Sequence, residues 1–357
     1  MTPEPMTSHE RIRRMYEHRE ADRVPIVESP WGSTIERWRR EGMPTADFTQ
    51  FFGLDRVVGV GVDNSPRYPA AVLEETDEYT ITRSSFGVTM RNWRHAGGVP
   101  EFLDFTIVDR DSWAEAKARM TPSDDRIPWD TLKRDYARWR AEGAWLSAGF
   151  WFGFDITHSW VVGTERVLLA LVEDPDWIAD IIHTMLDLDL ALWQRVLDAG
   201  YTFDEIRWPD DLGYKGNQFM SPRMYRRIVM PAHQKAAEWA HARGMKVRLH
   251  SCGDVNPLVP AFIDWGVDML NPLEVKAGMD PLALKAAYGD RLAFHGGLNA
   301  VLYERPEEMW DEMRRVIPAM RQGGGYIIAS DHSVPDSVSL AEFGEFVRLA
   351  QELGSYG

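Results

Sequence analysis

The chain has 357 residues, 44% of them hydrophobic, with 40 basic and 55 acidic side chains and a formal net charge of −15. That length fits one large α/β domain or two ordinary ones, and the charge disfavours a nucleic-acid partner, whose phosphates it repels. A single cysteine excludes an intramolecular disulfide and suits a reducing cytoplasm. The opening residues hold no apolar run of signal-peptide type, and no stretch approaches the roughly 18 apolar residues of a membrane span. A soluble cytoplasmic protein without nucleic-acid or membrane partners is therefore expected.

Taken in chain order, residues 23–28 (RVPIVE) and 56–62 read as strands. Residues 79–93 (YTITRSSFGVTMRNW) alternate and break at Phe86-Gly87, which predicts a hairpin insertion. From residue 140 the pattern becomes regular. A buried strand at 144–150 (AWLSAGF) precedes helices at 164–172 and 175–199, with Asp174 placed to cap Pro175. A strand at 203–208 leads to a helix over 221–242, ended by Arg243-Gly244. Strands at 246–250, 268–272, 291–295 and 326–330 then alternate with helices. These open at Asn256-Pro257, Asp280-Pro281, Pro306 and Ser339. Strand and helix alternating at short intervals mean a parallel sheet. Six strands after residue 140 plus two before it favour a (β/α)8 TIM barrel with an N-terminal hairpin insertion. The whole chain, 1–357, is expected to form one domain.

In such barrels the active site lies where strands run into their following loops. Reactive side chains stand at these positions: Asp210 and Asp211; His250 and Cys252; Glu274; His295 and Asn299; Asp331 and His332. Each group ends a different predicted strand, so they are expected to converge on one rim. In LHSCGDV (249–255), His250 and Cys252 are two apart and share one face of an extended segment, and Gly253 lets the chain turn. An imidazole and a thiolate on one face suit zinc. A catalytic zinc needs a third ligand, for which His332 stands first, ahead of Glu274, Asp211 and Asp331. Two other readings stay open: a buried thiol beside a hydrogen-bonded histidine, and a nucleophilic cysteine needing a base. Adjacent Asp210 and Asp211 point to opposite sides, so at most one faces a cavity, as a general acid or ligand or to orient Tyr214 or Lys215. Trp151, His158 and Trp160, in GFWFGFDITHSW, are candidates to wall a flat ligand. The loop from His295 to Asn299 is placed for close backbone approach to one. Each of these motifs has a plainer reading as loop packing or a tight turn.

Residues 204–340 resemble the uroporphyrinogen decarboxylase superfamily. H-x-C-G-D, P-x-E, Y-G-x-R-L-x-x-x-G-G and a final D-H-x-x-P occur in its order. The resemblance implies a (β/α)8 barrel and one of two chemistries. True uroporphyrinogen decarboxylases use no metal and bind tetrapyrrole carboxylates through an N-terminal R-Q-A-G-R-Y. The matching stretch here, Ser29-Pro30-Trp31-Gly32-Ser33-Thr34-Ile35, lacks both arginines. Buried carboxylates need cationic or donor partners, so turnover of uroporphyrinogen itself is not expected. The late histidine of that branch matches His332. The other branch comprises cobamide-dependent methyltransferases, whose zinc is held by H-x-C and a later cysteine. His250 and Cys252 match the pair, and His332 falls near the cysteine.

The resemblance therefore implies a zinc-dependent methyl transfer between a corrinoid and a thiol or other small acceptor. In that reading His250, Cys252 and His332 hold the metal. Asp211 or Glu274 serves as fourth ligand or base, and Trp151, His158, Trp160, Tyr214, His295 and Asn299 line the pocket. A small-molecule substrate, a corrinoid protein and a homodimer are the partners considered. The alternatives are a metal-free carboxy-lyase acting on a small aromatic or pyrrolic acid through His332 and Asp211, and a non-catalytic ligand- or corrinoid-binding barrel. Fold likeness alone does not choose among them.

Overall fold

The computed structural model describes residues 5–45, 47–94 and 98–356. Seven parallel strands form the central sheet, in the spatial order Val57–Gly61, Trp145–Gly149, Glu205–Pro209, Lys246–His250, Met269–Asn271, Ala293–His295 and Tyr326–Ile327. All seven fall at predicted strand positions, and spatial order follows chain order, as right-handed strand–helix–strand units require. The eighth stave is shorter than the sequence suggests. Residues 23–28 contribute one parallel bridge, Ile26 to Ile328, rather than a ladder. Pro25 supplies no N–H for pairing, although its carbonyl accepts from Ile328 N. On the other side, Asp55 N donates to the Ile26 carbonyl. The segment thus closes a barrel between the last and first strands.

The insertion is larger than a hairpin. Ala71–Glu75, Tyr79–Arg83, Val88–Trp93 and Glu101–Phe105 make a four-stranded antiparallel sheet. The predicted hairpin is its centre, turning through Ser84–Gly87 where Gly87 N donates to Ser84 O.

Two helix details differ from expectation. The predicted helix over 221–242 is two helices, Pro222–Ile228 and Met230–His241. Pro231 has no N–H for the preceding turn and breaks the ladder there. Asp174 stands at the N-cap of Pro175–Asp198, but its side chain makes no cap bond; it holds Arg110 at 2.6 and 2.5 Å instead.

The Pro175–Asp198 helix buries Trp177, Ile178, Ile181, Ile182, Met185, Leu188 and Leu192 against the barrel, the spacing of a core-facing stripe. Asp189 interrupts that stripe. Fully buried, it accepts Trp151 N at 2.9 Å and Asn64 Nδ2 at 3.0 Å, and so fixes the loop after Trp145–Gly149. Among the described residues no helix is long and apolar enough to cross a membrane.

Candidate active site

The strands Glu205–Pro209 (EIRWP) and Lys246–His250 (KVRLH) run side by side, with Arg207 opposite Arg248 and Pro209 opposite His250. Side chains alternate across a strand. Ile206, Trp208, Val247 and Leu249 pack into the surrounding hydrophobic core. Glu205, Arg207, Arg248 and His250 fall on the opposite, lumen-facing face. The lumen is therefore polar. Arg248 Nη2 bonds Glu205 at 2.5 Å, and the Tyr16 hydroxyl makes a very short bond to the other carboxylate oxygen. Arg248 Nη1 reaches His295 Nδ1 at 3.2 Å, while His295 Nε2 faces the Val27 carbonyl at 3.0 Å. A carbonyl only accepts, so Nε2 carries the proton and Nδ1 is the acceptor. Burial, with Arg248 beside it, pushes the His295 pKa down to about 3, in keeping with this neutral tautomer.

Above this layer lies a cavity of two lobes, about 470 and 490 Å³, which share Arg207, Arg248, His250 and Asn271. One lobe is walled by Val62, Phe86 and Trp151. Phe86 comes from the turn of the antiparallel insertion, which therefore closes over the barrel mouth. The other lobe is polar and includes Glu28, Asp211, Cys252, His295, Ser330, Asp331 and His332.

At the rim of the polar lobe, one ligand atom each from Asp211, His250 and Cys252 lies within 4.8 Å of the others. Cys252 Sγ is 3.4 Å from His250 Nε2, and His250 Nε2 is 3.7 Å from Asp211 Oδ1. Backbone bonds set this arrangement. Cys252 N donates to Asp211 Oδ1 at 2.8 Å, and Gly253 N donates to Glu274 Oε2 at 2.5 Å. The His250 ring is oriented from behind. Asn271 Nδ2 donates to the His295 carbonyl at 3.2 Å, so its Oδ1 faces His250 Nδ1 at 2.9 Å. An amide oxygen only accepts; Nδ1 therefore carries the proton and Nε2 presents its lone pair to the cluster. A histidine ligand with its second nitrogen so held is the usual support of a metal site.

Electrostatics point the same way. Burial, then the carboxylates of Asp211 and Glu274, push the Cys252 thiol well above its ordinary range. Burial also raises the Asp211 carboxyl, with His250 opposing. An unaided thiolate is thus disfavoured, which weakens the free-nucleophile reading. A cation at the cluster reverses that balance, because a metal deprotonates a coordinating thiol.

The other expected residues distribute unevenly. His295 and His332 line the polar lobe, and Trp151 the apolar one. His332 is exposed beside Trp31, and the group that converges for a metal takes its third member from Asp211 instead. Glu274 lines neither lobe; it secures the Gly253 amide and stands 3.5 Å from Lys276. His158, Trp160, Tyr214 and Asn299 do not line the cavity. His158 packs between Phe154 and Phe219 within a wide helical turn, Ile156–Val161, and bonds Thr164. Trp160 lies edge-on to Phe102 of the antiparallel sheet. Tyr214 is exposed against Phe219. Asn299 caps a short helix through Val301 N. These residues sit one loop outward from the lumen and support the rim. Asp210 and Asp211 do face opposite ways: Asp210 is fully buried on His233 at 2.8 Å and on Asp155 N at 2.7 Å.

Sequence reasoning missed Arg207, Arg248, Asn271, Glu28 and Asp189. One signal was present. Fully buried parallel strands normally read as near-continuous apolar runs, so charges at alternate positions of EIRWP and KVRLH mark a polar lumen. These arginines also supply cationic groups that the N-terminal 29–35 stretch lacks.

Comparison with known proteins places this site in context. The profile described as Uroporphyrinogen decarboxylase (URO-D) matches residues 148–353. A uroporphyrinogen decarboxylase of Saccharophagus degradans is 22% identical over 194 residues, 54% of this chain and 52% of that protein. One of Pseudomonas fluorescens is 29% identical over 90 residues, 22% of this chain and 25% of that protein. The chain thus spans about half, or less, of the curated relatives it matches. Among solved structures, a methyltransferase from Methanosarcina mazei superposes with a TM-score of 0.67 at 15% identity, over 97% of this chain and 99% of that one. That likeness extends the shared barrel across the chain. With the profile covering more than half of it, including Arg207, His250, Cys252 and His332, the chain belongs to the uroporphyrinogen decarboxylase family.

Proposed function

We propose that this family member is a metal-dependent methyltransferase, with zinc as the metal. The convergence of Asp211, His250 and Cys252, with ligand atoms within 4.8 Å of one another, carries this reading. The donor set fits the ion: a soft thiol, an imidazole oriented by Asn271 and a carboxylate are the ligand types zinc takes, and three protein ligands leave a position open. Zinc held there supplies Lewis acidity that lowers the pKa of a bound thiol acceptor. The chain's own residues do the rest. Asn271 fixes the His250 tautomer, Asp211 positions the Cys252 backbone, and the aromatic lobe excludes water from the transferring group. The methyl group is exchanged with a corrinoid, free or presented by a corrinoid protein at the barrel mouth.

Metal analysis of the purified chain tests this first. Zinc close to one equivalent is expected, with most of it lost in Cys252→Ser and His250→Ala. Absence of stoichiometric metal, or metal unchanged in both variants, sinks the metal site. Loss of the methyl group from methylcobalamin is then followed with coenzyme M and 2-mercaptoethanol as acceptors. Metal without methyl loss leaves the site standing and removes the methyltransferase reading.

A second reading, a metal-free carboxy-lyase on a small aromatic or pyrrolic acid, is favoured by Glu28. Burial holds its carboxyl up at about 8 in the polar lobe, where it can donate a proton at neutral pH. Release of carbon dioxide by the metal-free chain, lost in Glu28→Gln, distinguishes it from the first.

A further inference from the structure

Among the described residues, Arg207 is a lumen cation that no side chain pairs. Among the described residues its side chain makes no hydrogen bond and no ion pair. Its Nη2 lies against Gly59, 3.1 Å from where a Cβ would stand. The acid whose field reaches it is Glu205, and Arg248 and Tyr16 already hold both oxygens of that carboxylate. The acid that lines the apolar lobe, Asp63, is taken by Arg67 at 2.7 Å and faces Arg126 at 3.7 Å. Arg207 is exposed to both lobes, with Arg248 as a second positive charge beside it. A guanidinium matches a carboxylate by two parallel hydrogen bonds. Beside it stand the flat apolar walls Phe86 and Trp151, and both lobes meet at His250.

We propose that the cavity takes a small aryl carboxylate, its carboxylate paired with Arg207 and its ring along Phe86 and Trp151. The inference rests on the two-lobed cavity being the substrate site and deepens the function proposed above, but it does not need the metal. The site assigns the substrate its orientation: the acid end sits at the strand layer of Arg207, and a ring substituent lies beside His250.

Isothermal titration of the full chain with benzoate and with benzamide, its neutral counterpart of the same shape, tests the proposal. Benzoate is expected to bind at least roughly 10-fold more tightly than benzamide, the range for a charge-assisted pair. Arg207→Met is expected to abolish the preference, and Arg207→Lys to retain part of it. Equal binding of the two probes to the wild-type chain, no binding of benzoate, or a preference unchanged in Arg207→Met overturns the assignment. If Arg207→Met fails to fold, the wild-type ratio and the Lys variant decide alone. Zinc is measured in the same samples. Benzoate preference lost in Cys252→Ser but kept in Arg207→Met sends the carboxylate to the metal and overturns the Arg207 assignment. Benzoate preference through Arg207 in a chain without zinc upholds it while the metal reading falls.

Discussion

Gly253 shows how closely the cluster depends on single residues. Its φ is +83°, a region that favours glycine. A Cβ there would stand 2.0 Å from the Gly213 carbonyl carbon and 2.3 Å from Tyr214 N, so two loops touch backbone to backbone. Gly213 meets the same limit from the other side, 2.9 Å from Asp254 N. That contact holds the turn after Cys252 down onto the Asp211 loop, where Cys252 N and Asp211 bond. The Gly253→Ala variant must therefore part the loops that carry two of the three candidate ligands. A destabilisation of at least about 1–2 kcal/mol is expected from the backbone conformation alone, together with loss of most bound metal. Urea unfolding and metal analysis check both. Unchanged stability with full metal would mean that the loop contact does not shape the site.

The strands carry a different lesson. All seven ladder strands and the hairpin were legible because burial on both faces, or strict alternation, leaves a pattern in sequence. The break at Pro231 was also legible, since a proline inside a helix removes a bond, yet the strong apolar run around it masked the signal. His250 and Cys252 could be paired from spacing of two within a strand. Asp211 stood among the candidate ligands but behind His332, and Asn271 and Arg207 could not be added at all, because their partners lie across strands whose register no local pattern states. The alternate charges of EIRWP and KVRLH were the available clue, and they make the lumen an energetic liability as well as a site. Arg248 and Glu205 form a buried pair at 2.5 Å with Tyr16 on the same acid. Removing one partner strands the other charge in the barrel. Arg248→Met is expected to cost about 3–5 kcal/mol of stability, and the added Glu205→Gln change to recover much of it. Denaturant unfolding of the single and double variants reads the coupling. Additive losses would show that the pair does not act as a unit.

At the scale of the whole molecule, two buried lumen groups tie folding to pH with opposite sign. Burial lowers His295 from its ordinary 6.5 to about 3. Between those values the unfolded chain binds the proton and the folded chain does not, so this contribution is full above 6.5 and lost as pH falls towards 3. Burial raises Glu28 from 4.5 to about 8, where it accepts bonds from Ser330 N at 2.6 Å and Ser330 Oγ at 3.0 Å. Here the folded chain holds the proton that the unfolded chain has released, so its contribution is full below 4.5 and lost as pH rises towards 8. The two slopes oppose each other between 4.5 and 6.5, leaving stability from this pair level there, rising below that window and falling above it. A glutamine at position 28 keeps an acceptor for Ser330 N but has no proton to lose. In Glu28→Gln the fall from 6.5 to 8 is therefore expected to vanish. The gap between wild type and variant should widen by up to roughly 1.4 kcal/mol per pH unit across the Glu28 window. Urea unfolding of both chains at half-unit steps from pH 4 to 8.5 measures that gap. Curves that stay parallel throughout would show that Glu28 is ionised in the folded barrel. The proton-donor role in the carboxy-lyase reading would fall with it, leaving the metal cluster and Arg207 as the groups that define the site's chemistry.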